Sequence, residues 1–136
     1  MIGSLDVSQS ALVAQRVRMD VIAGNIANAF TTAQADGRIE PYRRRVVTFG
    51  EGSAGGGAGV HVAEVLEDPA EARLQYDPGH PHAIVDGPLR GYVRYPNVSI
   101  TMEYIDALAA SRAYEANLAM MNVTRGMIEQ AIQLMA

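Results

Sequence analysis

The sequence predicts a mainly α protein with a small β insert. Long N- and C-terminal helices are expected to pair as an antiparallel or coiled-coil-like hairpin around a hairpin-rich β or extended segment. Three observations carry this. The last third holds apolar residues at seven-residue spacing with no proline and a single glycine, the first third repeats that spacing, and the middle breaks into short apolar runs divided by Gly, Pro and Asp. The expected organisation is an N-terminal helix over 1–29, a connector and β-rich insert over 30–98, and a C-terminal helix over 99–136. The two helices together form one core.

In the N-terminal helix Leu5, Leu12, Met19 and Ile26 fall seven apart, and Ile22 and Ala29 add intermediate positions. Asp6, Gln15, Arg16, Arg18 and Asp20 occupy other faces. Ser4 or Asp6 is the expected cap. Asn25-Ile26-Ala27-Asn28 is the expected end, because Asn tolerates the left-handed turn that terminates helices.

The segment from Phe30 to Pro41 lacks a period and reads as an extended connector. Four strands are then expected, near 46–49, 60–66, 72–76 and 91–95. The glycine-rich stretch 50–59 links the first two, and Asp68-Pro69 closes the second. Asp77-Pro78-Gly79 marks a turn, with Pro presetting one dihedral and Gly supplying a positive φ.

In the C-terminal helix Tyr114, Met121, Ile128 and Met135 alternate with Ala110, Asn117, Thr124 and Ala131 at the offsets of a heptad seam. A helix of about 35 residues spans roughly 50 Å, whereas a compact sphere of this chain length is only about 37 Å across. The helix should outreach its own domain. Ala109, Ala113, Ala116 and Ala119 lie at three- and four-residue spacing and permit close backbone approach. Met120 and Met127 extend that side, and Ile105 and Leu108 broaden the apolar surface near the start.

Composition narrows the function classes. The chain has 136 residues, and its 49% hydrophobic content is enough to bury a core. Aromatics make up only 6%, which favours close helix packing over an aromatic-lined pocket. The formal charge of −4 argues against nucleic acid as a partner, since such binding is driven by release of counterions from phosphates. With no Cys, disulfides and thiolate metal sites are excluded. No apolar run approaches the roughly 18 residues of a membrane span, and no cleaved signal of the usual kind is expected.

Candidate chemistry is sparse. Gly50-Glu51-Gly52-Ser53-Ala54-Gly55 matches G-x-G-x-x-G, but that fingerprint must open a helix, and here more glycines and a strand follow. Asp77, His80 and His82 could be offered as metal ligands, yet Pro81 argues for an extended segment whose alternate residues diverge. His61 reads as a strand-face residue, and no nucleophile elbow is present. No catalytic residue, cofactor, metal or small-molecule substrate is therefore expected. The run Arg43-Arg44-Arg45 reads as a solvated edge or an interface charge. From pattern alone two readings stand. Either the surplus apolar helix surface meets other chains in a polymer, or the chain is a monomeric helical adaptor that binds a partner helix.

Several segments, taken in order, carry a resemblance. Ser10-Ala11-Leu12, Ala14-Gln15, Arg18-Met19, and Asn25-Ile26-Ala27-Asn28 resemble the N-terminal signature of bacterial flagellar rod and hook axial proteins. Pro41-Tyr42-Arg43-Arg44, Tyr76-Asp77-Pro78-Gly79-His80-Pro81, Gly91-Tyr92-Val93 with Tyr95-Pro96-Asn97-Val98, and Ala110 to Asn117 continue the match over nearly the whole chain. Ile84 to Arg90 is longer and more apolar than the family's usual acidic link, and His82 stands where Asp is common.

The resemblance implies a non-catalytic structural subunit of the proximal rod of the flagellar basal body. It would lie in the periplasm, pass through the flagellar type III export apparatus without signal cleavage, and transmit torque in the axial shaft around the export channel. Implied partners are other proximal and distal rod proteins, the protein at the junction of membrane ring and rod, and copies of itself. Leu5, Leu12, Met19, Ile22, Asn25, Ile26, Asn28, Tyr114, Asn117, Met121, Ile128 and Met135 are the expected helix-pairing and assembly residues. Neighbouring subunits are expected at Ala109, Ala113, Ala116, Met120 and Met127, and at Tyr42, Arg43, Arg44, Tyr76, Asp77 and His80.

Overall fold

The structure is a computed structural model that describes residues 2–135. Met1 and Ala136, the expected outer limits of the terminal helices, lie outside the described residues. Helix α1 runs Ile2–Ala27, strands β1 and β2 run Arg45–Glu51 and Val60–Glu67, β3 and β4 run Arg73–Tyr76 and Tyr92–Tyr95, and helix α2 runs Ile100–Met135. The result is two helices with two small antiparallel sheets between them in sequence. No described helix is long and apolar enough to cross a membrane.

Helix α1 packs against α2 and also against both strands of the β1–β2 hairpin, whereas among the described residues α2 packs on no strand. This explains which positions sink deepest. On α2 they fall along the expected seam: Glu103 and Ala110 are buried, and Tyr114, Asn117, Met121, Thr124, Ile128 and Ala131 are half-buried. Met135, the last seam residue, is 80% exposed because it lies past the cover. On α1 the buried residues are Ser8, Ala14, Ile22 and Asn25, while Leu5, Leu12, Met19 and Ile26 are only half-buried. A helix covered on two sides buries a broader band than a single heptad line, and small residues there let both neighbours approach.

Three local expectations are corrected. Helix α1 begins at Ile2, so Ser4 and Asp6 stand inside it and not at its start. Its end needs no left-handed Asn, since no non-glycine residue among those described has positive φ. Instead Asn28 Nδ2 donates to the carbonyl of Gly24 at 2.9 Å and occupies a terminal acceptor. The turn at Asp77 closes by His80 N–H donating to the Asp77 carbonyl, but Gly79 is not among the positive-φ glycines. Pro78 and Gly79 are its two central residues, and Gly79 completes it without a positive φ. The start of α2 is capped by Ser99, whose Oγ accepts from Met102 N–H and whose carbonyl accepts from Glu103 N–H.

In the β1–β2 hairpin, Thr48 pairs with Glu64 and Phe49 with Val62, so Ala63 is the extra residue of a bulge. The 52–59 connection docks on α1 where Val60 N–H donates to Ser10 Oγ at 3.1 Å. Gly59 makes this approach possible, because a Cβ there would lie 2.5 Å from that oxygen. In the second hairpin β3 and β4 pair from Arg73↔Tyr95 to Tyr76↔Tyr92. Gly91, at φ +83°, lets the Tyr76 ring cross the backbone where a Cβ would lie 2.8 Å from Cε2.

Candidate functional site

The densest polar arrangement lies where the end of α1, the approach to β1 and the start of α2 meet. Asn25 is 1% exposed and uses all four of its side-chain hydrogen-bonding positions. Its Oδ1 accepts from Arg45 N–H at 2.9 Å and from the Tyr42 hydroxyl at 3.0 Å. Its Nδ2 donates to the Arg45 carbonyl at 2.8 Å and to Glu103 Oε2 at 3.1 Å. The amide thus acts as a surrogate strand partner for the first residue of β1.

Glu103, also 1% exposed, receives Arg44 Nε on Oε1 at 2.6 Å. Arg44 reaches two further carboxylates, Asp68 at 3.5 Å and Asp106 at 3.7 Å, and Asp106 also faces Arg18 of α1 at 4.0 Å. A buried carboxylate is costly unless it is paired and hydrogen-bonded, and here both oxygens are served. Burial pulls the Arg44 guanidinium down, but the hydrogen bonds and charges of Glu103 and Asp68 outweigh it and hold it above its ordinary value. Burial pushes the Tyr42 phenol up, so its neutral, donating form is the favoured one.

Chemically, both side-chain donors of Asn25, the Tyr42 hydroxyl and Arg44 Nε meet acceptors, and the arrangement fastens four segments together. Arg44 and Tyr42, expected at a neighbouring subunit, are engaged inside the chain. Arg43 is exposed and lines a cleft of about 450 Å³ with Arg44, Asp68, Glu71 and Arg94. The cluster could have been suspected from Glu103, which stands seven residues before Ala110 on the seam line. A carboxylate at a seam position demands a buried cation, and the arginine run 43–45 is the obvious supply. Asp68 and Asp106 carry no such mark.

The other expected residues are distributed as follows. Asn28 is half-buried, and Asn117 Nδ2 donates to the carbonyl of Ala113 at 2.7 Å, so this polar seam residue is satisfied by its own helix. Ala109, Ala116, Met120 and Met127 are exposed, and Ala113 is half-buried. Tyr76 is exposed, its ring meeting Tyr92 edge-on at 5.2 Å, and Asp77 is half-buried. Pro81 does not keep His80 and His82 apart, contrary to the expectation: the segment is a turn, not extended, and the two rings lie 5.3 Å apart. Each Nδ1 has a partner, His80 accepting from His82 N–H and His82 meeting Thr32 Oγ1. His61 lies on its strand with Nδ1 2.8 Å from the Gly52 carbonyl. Among the described residues no group of three or more His, Cys, Asp or Glu could hold a metal.

Two family models match the chain. Residues 5–33 match "Flagella basal body rod protein", and residues 89–134 match "Flagellar basal body rod FlgEFG protein C-terminal". Similar proteins include three named "Flagellar basal-body rod protein FlgC". The one from Bacillus subtilis (strain 168) is 42% identical, over 96% of this chain and 95% of the relative. That from Borreliella burgdorferi is 38% identical, over 97% and 95%. That from Escherichia coli O157:H7 is 40% identical, over 95% and 93%.

Proposed function

This chain belongs to the flagellar basal-body rod protein family, and we propose that it polymerises through its terminal helices into the axial shaft that transmits torque and surrounds the export channel. It is a structural subunit of the basal-body rod, not an enzyme, and it assembles with other rod components and with itself. The finer reading places it in the periplasmic, proximal part of the rod. It would arrive there through the flagellar type III export apparatus without signal cleavage, and join the membrane-ring junction to the distal rod.

The observation that carries the assembly reading is the outer face of α2. Met102, Tyr104, Ile105, Leu108, Met120 and Val123 are each more than half exposed, and Leu134 is 89% exposed. A row of large apolar side chains on the longest element is what a subunit buried by neighbours requires, since each Å² removed from water contributes roughly 25 cal/mol. At about 1.5 Å per residue α2 spans about 54 Å and α1 about 39 Å, so α1 cannot cover it end to end. Antiparallel pairing is supported by two contacts, Asn25 with Glu103 and Arg18 with Asp106, in which position falls along α1 as it rises along α2.

In this reading Leu5, Leu12, Met19, Ile22 and Ile26 face the seam of Tyr114, Met121 and Ile128, and Ala109, Ala113, Ala116, Met120 and Met127 meet adjacent subunits. Met121→Asp tests it. The variant is expected to be exported yet to fail in rod assembly and motility, and normal motility would refute the assignment of the seam. Helices with such open apolar faces should also gain order on docking. Strong hydrogen-exchange protection along both helices of a dilute monomer would refute that part.

A further inference from the structure

We propose that Asp86-Gly87 is a site of spontaneous covalent modification, where the backbone isomerises to an isoaspartyl linkage. The sequence holds two Asp-Gly pairs, Asp36-Gly37 and Asp86-Gly87. Both lie outside the helices and strands, and both glycines have positive φ, +85° at Gly37 and +92° at Gly87. Glycine carries no side chain to obstruct attack by its own nitrogen on the preceding carboxyl group. The other aspartates lack that opening. Asp68 and Asp77 precede prolines, which have no N–H to lose, and Asp6, Asp20 and Asp106 lie within helices, before Val or Ala.

The chemistry needs only water. Gly87 N attacks Asp86 Cγ of the protonated carboxyl group, an N–Cγ bond forms, and the Cγ–O bond breaks. The hydroxyl leaves with the amide proton as water, and a five-membered succinimide remains. Water then adds back at one of its two carbonyls. Addition at Cγ restores aspartate, whereas addition at the main-chain carbonyl of Asp86 leaves the chain running through Cγ. One water is lost and one is regained.

The fold separates the two pairs. Asp36 is held: its Oδ1 accepts from Arg38 N–H at 3.1 Å, its Oδ2 accepts from Arg38 Nε, and Gly37 N–H donates to the Gln34 carbonyl at 3.0 Å. The Arg38 backbone bond, followed by the side-chain one, holds this carboxyl below its ordinary value, and an ionised carboxylate resists attack. Asp86 and Gly87 are exposed. Among the described residues Asp86 has no hydrogen-bond or ion-pair partner, and Gly87 N–H donates to no carbonyl. The space beside Gly87 is open, since a Cβ there would meet nothing within 4 Å.

The hairpin can carry the change. Ile84 N–H donates to the Tyr92 carbonyl at 2.9 Å and Gly91 N–H to the Ile84 carbonyl at 2.9 Å, which closes the excursion at its base. The inserted methylene and the displaced carboxylate stay within 85–90, so modified chains keep their fold and accumulate with time. The inference concerns the chain itself and is independent of how it assembles.

Incubating the full-length chain near neutral pH in heavy-oxygen water tests it, because each ring opening adds one labelled oxygen. Trypsin releases residues 19–38 and 74–90 as separate peptides, and fragment masses locate the label and the iso linkage. One net hydrogen bond corresponds to about fivefold in rate, so label at Asp86 should exceed that at Asp36 by at least about threefold in the folded chain. In urea, where the bonds at Asp36 are gone, that ratio should shrink. Asp86→Glu, whose ring would be six-membered, should lose the label from 74–90 with its helical circular dichroism intact. A smaller native ratio, no label at Asp86, a ratio that does not shrink in urea, or label retained in the Asp86→Glu peptide would each overturn the assignment.

Discussion

The two ends of the helix pair solve the problem of burial in opposite ways. Where α1 ends and α2 begins, Asn25, Arg44 and Glu103 satisfy one another inside the chain, and the deepest side chains there are polar. At the far end of α2, Ile132, Leu134 and Met135 stand largely exposed with no polar compensation. Hydrogen bonds and ion pairs are directional and fix one geometry, whereas apolar surface accepts any complementary cover. The contrast teaches that this subunit defines its own shape at the junction and, on the proposed mode of assembly, leaves its other end to be completed by neighbours.

That contrast can be broken at several points, the largest effect on stability coming first. Glu103→Ala takes from buried Asn25 one of its two acceptors and from half-buried Arg44 the nearest of its three carboxylates, and should cost about 2–4 kcal/mol in urea unfolding. A loss below about 1 kcal/mol would mean that the cluster is solvated in practice. Asn25→Ala removes four hydrogen bonds and frees the first residue of β1. It should cost about 1–3 kcal/mol, with exchange at Arg45 N–H rising most.

Tyr42→Phe removes one donor and should cost about 1 kcal/mol at neutral pH. Its pH dependence has a definite sign. The folded phenol is raised by burial, so its contribution is intact below the ordinary tyrosine value of about 10 and is lost as pH rises through the folded value. The gap between wild type and Tyr42→Phe should therefore narrow in alkaline unfolding experiments, and a widening gap would reverse the assignment.

The smallest effect on stability is expected at the open end. Leu134→Glu should change unfolding by no more than about 0.5 kcal/mol, because the side chain is almost fully exposed in the subunit. Rod assembly and motility should nevertheless fail. A variant that is destabilised by several kcal/mol would show that this end is covered within the free chain, and the contrast between the ends would collapse.

Much of this was legible in the residues. The seam of α2 emerges at Ala110, Tyr114, Asn117 and Met121 because one helix face against one partner leaves a clean seven-residue record. The strands emerge because glycine, proline and aspartate punctuate them. The deepest row of α1 was less legible, since contacts on two sides spread its burial from Leu5 and Leu12 toward Ser8 and Ala14. The polar cluster was hardest to read. Glu103 joins Arg44 across 59 positions and Asn25 across 78, separations that no local period reports.

By itself, the sequence determined two long helices, a hairpin-rich insert and more apolar helix surface than one partner helix can cover. Those follow from spacing and composition, which act locally along the chain. Only the tertiary structure decided that Arg44 turns inward to Glu103 and not outward, and that His80 and His82 lie ring against ring. It also decided that Asn25 closes the first pair of β1 hydrogen bonds. Each of these depends on which distant acceptor lies within about 3 Å of a donor once the helices have packed.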